Sequence, residues 1–137
     1  MARTMQPAWL DFLYGQYKER GEGRPADLPG AARLYRRAAM RGLAEAQQAL
    51  AFLYATGQGV KQNDQIAAGW FMRAAEQGNG VAQHNLAVMY AEGRGVKQDE
   101  RLAVHWFYRA ACAGNPVARE WLSASRQQWR EALSADV

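Results

Sequence analysis

The sequence predicts an all-α protein: an α-solenoid of antiparallel helix hairpins closed by a C-terminal capping helix. Three observations predict it. Alanine makes up about a fifth of the chain, while Ile66 is the only isoleucine and Thr4 and Thr56 the only threonines; alanine favours helices and β-branched residues favour strands. A pattern of small, aromatic and glycine residues recurs every 36 positions. Glycines punctuate that pattern at the places where helices would stop.

The repeat is clearest when residues 44–78 are laid over 80–114. Ala46/Ala82, Gln47/Gln83, Leu50/Leu86, Ala51/Ala87 and Tyr54/Tyr90 coincide, as do Gly57/Gly93, Gly59/Gly95, Val60/Val96, Lys61/Lys97 and Gln62/Gln98. Ala67/Ala103, Trp70/Trp106, Phe71/Phe107, Arg73/Arg109, Ala74/Ala110, Ala75/Ala111 and Gly78/Gly114 complete it. About half of the positions agree without a gap, which chance does not produce. Upstream, Gly21, Gly23, Ala31, Ala38, Ala39 and Gly42 keep the period. Leu13 and Tyr17 match Leu50 and Tyr54 only if one extra residue is allowed in the first loop. Downstream, Ala118 and Leu122 continue the pattern. The expected organisation is a single repeat domain over 1–137: a divergent repeat at 8–42, repeats at 43–78 and 79–114, and a capping helix at 115–137.

Each unit reads as helix, Gly-x-Gly turn, helix, Gly. Ala46, Leu50, Leu53 and Tyr54 form one apolar stripe at helical spacing. Gly57 and Gly59 suit left-handed turn conformations. Asn63 and Asp99 are expected N-caps, with Asp64 and Glu100 where the helix dipole favours negative charge. Gly42, Gly78 and Gly114 close the second helices. Asn115-Pro116 opens the last helix as cap and first-turn proline. Ala118, Trp121, Leu122 and Leu133 suit a cap over the last apolar face. Trp129 completes it or sits at a subunit contact.

Length and composition exclude several classes. A chain of 137 residues holds one domain or one short array. No apolar run is long enough for a membrane span or a signal peptide, so no membrane insertion is expected. The single Cys112 excludes an internal disulfide framework and points to a reducing compartment, the cytoplasm. The net charge of +4 is concentrated in residues 1–42, which carry eight Lys/Arg against four Asp/Glu. Arg33, Arg36, Arg37 and Arg41 form either a solvated helix face or a docking patch for an acidic partner. No interleaved aromatic platform accompanies them, so nucleic acid is not an expected partner.

Catalytic chemistry is poorly represented. Ser123, Ser125 and Ser134 lie in the capping region without a histidine in evident reach. His84 and His105 fall on different helices. His105, beside Trp106, reads as structural, and Cys112 as a partly buried, inert thiol. The Gly-x-Gly turns lack the strand and the Gly-Lys-Ser/Thr ending of a phosphate loop. No catalytic residue, cofactor or metal site is expected.

Tyr54-x-x-Gly57-x-Gly59-Val60 followed by Ala67-x-x-Trp70-Phe71-x-x-Ala74-Ala75-x-x-Gly78 resembles the Sel-one-like repeat, a relative of the tetratricopeptide repeat. Tyr90 to Gly114 repeats the motif. The first unit diverges, with Leu34 in place of tryptophan and Arg24-Pro25 after its turn. The resemblance covers roughly residues 10–125. It implies a right-handed superhelix whose concave face, lined by first helices, binds proteins or peptides as adaptor, scaffold or chaperone-like partner. Some secreted members pair cysteines across each hairpin, which this chain cannot do.

On that scaffold the variable first-helix positions are the groove candidates: Glu45, Gln48, Phe52 and Ala55, then Val81, His84, Val88 and Ala91. The last helix would add Val117, Glu120, Ala124 and Gln127, and the first unit Asp11, Gly15 and Lys18. Phe52 and Val88 either pack on a second helix or form an apolar pocket for a peptide side chain, flanked by Gln48 and His84 as backbone hydrogen-bonding groups. The alternative is self-assembly: Trp9, Phe12 and Tyr14 are expected to be exposed at the N-terminal end, where a weak homodimer would cover them. Otherwise the chain would be a monomer; a small-molecule-binding or hydrolytic enzyme using the groove is the remaining reading.

Overall fold

The computed structural model describes residues 6–120 and 122–124. Six helices of equal length follow one another: α1 (Ala8–Arg20), α2 (Leu28–Met40), α3 (Ala44–Thr56), α4 (Asp64–Glu76), α5 (Gly80–Glu92) and α6 (Glu100–Cys112). A last helix begins at Pro116 and is described over 116–120 and 122–124. Consecutive helices pack on one another, so the chain is a stack of three hairpins with one core running through it.

The capping chemistry legible in the sequence is what sets the boundaries. The side chains of Asn63 and Asp99 accept from the backbone N–H groups of Ile66 and Leu102, each at 3.0 Å. Asn115 does the same for Ala118 N–H at 3.0 Å. Each second helix ends in a Schellman arrangement. At α2, Gly42 N–H reaches the Ala39 carbonyl at 3.0 Å and Leu43 N–H the Ala38 carbonyl at 3.2 Å. The same pair recurs after α4 and α6.

The core is built from alanines with large residues set between them. Ala38-Ala39, Ala74-Ala75 and Ala110-Ala111 are buried and let the next helix approach closely, while Tyr35, Leu50, Leu53, Phe71, Leu86 and Phe107 fill the remaining space. Trp106 is buried, but Trp70 is only partly so. Each carries the guanidinium three residues on, Arg73 at 4.9 Å and Arg109 at 4.8 Å from the ring centroid.

The first unit is in register without any extra residue. α1 begins 36 positions before α3, so Tyr14 and Tyr17 stand at the places of Leu50 and Leu53, and Asp11 at that of Gln47 and Gln83. The expected one-residue insertion is therefore wrong. Phe12, expected at the surface, packs on Tyr35 at 5.7 Å between ring centroids. Asp11 and Gly15 are buried rather than open to a groove. Gly15 is held to glycine by Tyr35, whose Cε1 would stand 2.6 Å from an added Cβ.

A polar thread links the units through that same position. Gln47 Nε2 donates to the Ala39 carbonyl at 3.2 Å, Gln83 Nε2 to the Ala75 carbonyl at 3.0 Å, and Arg119 Nε to the Ala111 carbonyl at 3.2 Å. In the second unit Gln77 also donates to Gln47 Oε1 at 2.8 Å. In the third unit Ala113 occupies the place of Gln77, and Gln83 Oε1 is buried with no partner. Ala113→Gln should supply that donor, because its backbone (φ −76°, ψ 0°) matches that of Gln77 (φ −82°, ψ 0°). The expected gain is about 1 kcal/mol in a denaturant titration, with a loss of similar size for Gln77→Ala.

Candidate functional site

Phe52 and Val88, singled out in the sequence, line one cavity. It lies between α3 and α5, has a volume of about 160 Å³, and is walled by Phe52, Ala55, Phe71, Val88 and Met89 with Thr56, Asn85 and Arg94 at its polar edge. Phe52 is 44% exposed at its mouth, while Phe71 and Met89 beneath are buried. Arg94 is anchored there by Asp64 at 3.2 Å and Glu92 at 3.6 Å. The arrangement is an apolar recess with a fixed cation and an uncommitted amide, Asn85, beside it. Asn85 and Arg94 were not among the sequence candidates. Asn85 occupies the place of Ala49, so the repeat comparison marks it as a divergent position.

The other first-helix candidates divide. Glu45, Val81, Val117, Glu120, Ala124 and Lys18 are exposed. Gln48, Ala55, Val88 and Ala91 are half-buried. Gln127, Ser125, Ser134, Trp121, Trp129 and Leu133 lie outside the residues whose side chains are described. His84 turns toward its own second helix and meets Phe107 edge-on at 5.5 Å between centroids. It repeats the contact of Phe12 with Tyr35. Its Nδ1 is buried without a partner, and burial lowers its pKa below the ordinary value of 6.5.

The sign of that shift gives a pH dependence. The neutral ring is favoured in the folded chain, so on acidification the unfolded chain takes up a proton first. Stability is expected to fall as the pH drops through about 6.5. His84→Phe, which restores the ring-on-ring contact of the first unit, should flatten thermal stability between pH 7 and about 5 relative to the wild type.

Arg33, Arg36 and Arg37 of α2 and Arg41 just after it are all exposed, and three of the four have partners. Arg37 pairs with buried Asp11 at 3.8 Å, and Arg41 donates to the Gln6 carbonyl. Arg36 donates to the Tyr54 hydroxyl and, with Arg33, borders a crevice of about 190 Å³ over Pro29, Ala32, Leu50, Gly59 and Val60. Two of the four therefore face α1 and two face the joint with the second unit. Cys112 is exposed, not partly buried. His105 is also exposed, its ring edge-on to Trp106 at 5.2 Å, so it is not a packed core histidine. Among the described residues no three His, Cys, Asp or Glu side chains gather as a metal site, and no helix is long and apolar enough to cross a membrane.

A stack of helix hairpins with one continuous core defines an α-helical repeat protein. The Sel1 repeat model matches residues 12–43, 44–79 and 80–115, and the chain belongs to the Sel1 repeat family, whose repeats are generally protein–protein interaction modules. Among solved structures, c5321, a protective antigen present in uropathogenic Escherichia coli strains and displaying an SLR fold, is 35% identical with a TM-score of 0.84. That match covers 88% of this chain and 26% of c5321. A Sel1 repeat protein from Oxalobacter formigenes is 31% identical with a TM-score of 0.79, over 81% of this chain and 46% of that one. Helicobacter pylori cysteine rich protein B shares the fold at 20% identity and a TM-score of 0.66, over 80% of this chain and 90% of that one. The chain thus spans less than half of the first two. No curated protein matches the sequence.

Proposed function

We propose that this chain is an adaptor or scaffold that binds a segment of another protein along its first helices, seating one apolar side chain in the recess between α3 and α5. The observation that carries this reading is the recess itself. Phe52 stands exposed on a helix whose neighbours Leu50, Ala51 and Leu53 are fully buried, over a floor of Phe71 and Met89. An exposed aromatic beside a desolvated apolar floor, with polar groups at the edge, is the arrangement that concentrates binding energy in protein interfaces. Asn85 offers donor and acceptor to a peptide backbone, and Arg94 is held in place to meet a carbonyl or carboxylate.

A catalytic role has less to stand on, since His84 is committed to Phe107 and His105 and Cys112 lie exposed without partners that would activate them. A single unpaired thiol suits a reducing compartment, so the cytoplasm is the proposed location. The reading is tested with a peptide selected from a random library on the purified chain and titrated into wild type and Phe52→Ala. Affinity should fall by about tenfold or more in the variant, with its helical content unchanged. Equal affinity for both would remove the recess from the account.

A further inference from the structure

The first helix exposes a surface whose counterparts in α3 and α5 are buried. Leu50 and Leu53 in α3, and Leu86 and Met89 in α5, are covered by the second helix of the preceding unit. The equivalent residues of α1, Tyr14 and Tyr17, are 51% and 49% exposed. Trp9 and Leu13 beside them are 56% and 47% exposed. Together they present on the order of 400 Å² of largely apolar surface, the size at which a patch signals a contact. A solubilising cap presents a polar outer face, and four large exposed apolar residues do not make one.

The chemistry of position 11 argues against a further second helix of the repeat type as the occupant. At each internal joint the residue here donates to the carbonyl of an Ala-Ala pair: Gln47 to Ala39, Gln83 to Ala75, Arg119 to Ala111. Asp11 is a carboxylate and offers acceptors only. It is already engaged by Gln6 Nε2 at 2.7 Å and by Arg37 at 3.8 Å. A helix docked here in the manner of α2 on α3 would lack the side-chain donor that Gln47, Gln83 and Arg119 supply at the internal joints.

We propose that the occupant is a second copy of this chain, with α1 packed antiparallel on α1 of its partner about a two-fold axis at Leu13. The stripe Trp9, Leu13, Tyr17 is spaced four residues on either side of Leu13, so a two-fold there sets Leu13 on its symmetry mate and Trp9 against the partner's Tyr17. Such a patch is self-complementary, as a two-fold contact requires. The row lies along the i±4 ridge of the helix, with Leu10 and Tyr14 forming the next ridge, the geometry of ordinary helix–helix packing. The stripe carries no charge. Lys18 and Arg20 lie at the C-terminal end of α1, and an antiparallel pair keeps those ends apart. Two such patches with their borders bury roughly 1,000 Å², the size of a weak or transient contact, so the dimer is expected to depend on concentration rather than to be permanent.

This contact lies at the end of the stack, away from the α3–α5 recess, and stands independently of the peptide-binding reading. It is tested by sedimentation of the whole chain across concentration. Wild type should move from 15.3 kDa toward twice that mass, and Leu13→Arg, which sets like charges on the axis, should remain monomeric with unchanged circular dichroism. In a Cys112→Ser background, Leu13→Cys should form an intermolecular disulfide under mild oxidation, because only residues near the axis bring Cβ atoms within the roughly 4 Å a disulfide spans. A wild type that stays monomeric to several hundred micromolar overturns the proposal. So does a dimer that survives Leu13→Arg, or a Leu13→Cys chain that forms no cross-link at concentrations where the wild type is dimeric.

Discussion

Trp106→Ala is expected to destabilise the protein by about 3–5 kcal/mol, the usual cost of emptying a buried tryptophan site. Trp106 is 6% exposed, sits between Ala103 and Ala110 in the core cluster, and supports the Arg109 guanidinium on its outer face. Its removal leaves a cavity that helices held by short alanine contacts cannot collapse to fill. In an array, stability is the sum of unit and joint contributions, so the damage concentrates in α6 and in the last helix resting on it. Hydrogen exchange should accelerate there first, with α1 and α2 retaining more of their protection. Trp70→Ala should cost clearly less, because that ring is already partly in solvent. Equal losses in a urea titration would mean that the two rings are not placed as described.

Gly95→Ala is the second change with a large expected effect, about 3 kcal/mol or more. Gly95 has φ +70°, a conformation that costs alanine about 1–2 kcal/mol by itself. Its hydrogen also faces the first residue of α4, so an added Cβ would overlap the Asp64 carbonyl, which is backbone and cannot turn aside. The joint between the second and third units would have to open. Gly23 is the control. It has the same φ of +70° at the same place in the first unit, but an added Cβ there meets nothing within 4 Å. Gly23→Ala should therefore lose only the conformational part. A thermal melt of the two variants separates close approach from backbone strain: a clear gap is expected, and equal melting temperatures would contradict the packing of each turn on the preceding helix.

The architecture was legible because its signals are local and recur. Asn63, Asp99 and Asn115 announce helix starts, and Ala-Ala-x-x-Gly announces both a close contact and a stop. The register of the first unit was not legible from apolar matching. Leu13 and Tyr17 look like Leu50 and Tyr54 one residue out of step, and both are exposed, so burial does not discipline those positions. The signal that holds the true register is polar: Asp11, Gln47 and Gln83 are 36 apart and all buried. The basic residues in and just after α2 read in the sequence as either a solvated face or a docking patch, and tertiary contacts add what spacing could not show, that Arg37 pairs with Asp11 and Arg36 donates to Tyr54. His84 has the spacing of a groove residue, yet half of its ring is spent on Phe107. Phe52 and Val88 were found because apolar residues at a variable first-helix position stand out against the repeat. Asn85 and Arg94 join them through folding of α5 and its following turn, which spacing on α3 could not reveal.

The recess between α3 and α5 and the exposed apolar face of α1 are the two surfaces proposed to meet partners. Binding at the recess is tested most directly by amide chemical-shift mapping of the library-selected peptide on the isotopically labelled chain. The largest shifts should centre on Phe52, Thr56, Asn85, Val88 and Arg94. Shifts centred instead on Arg33 and Arg36, or on Trp9, Leu13 and Tyr17, would contradict it.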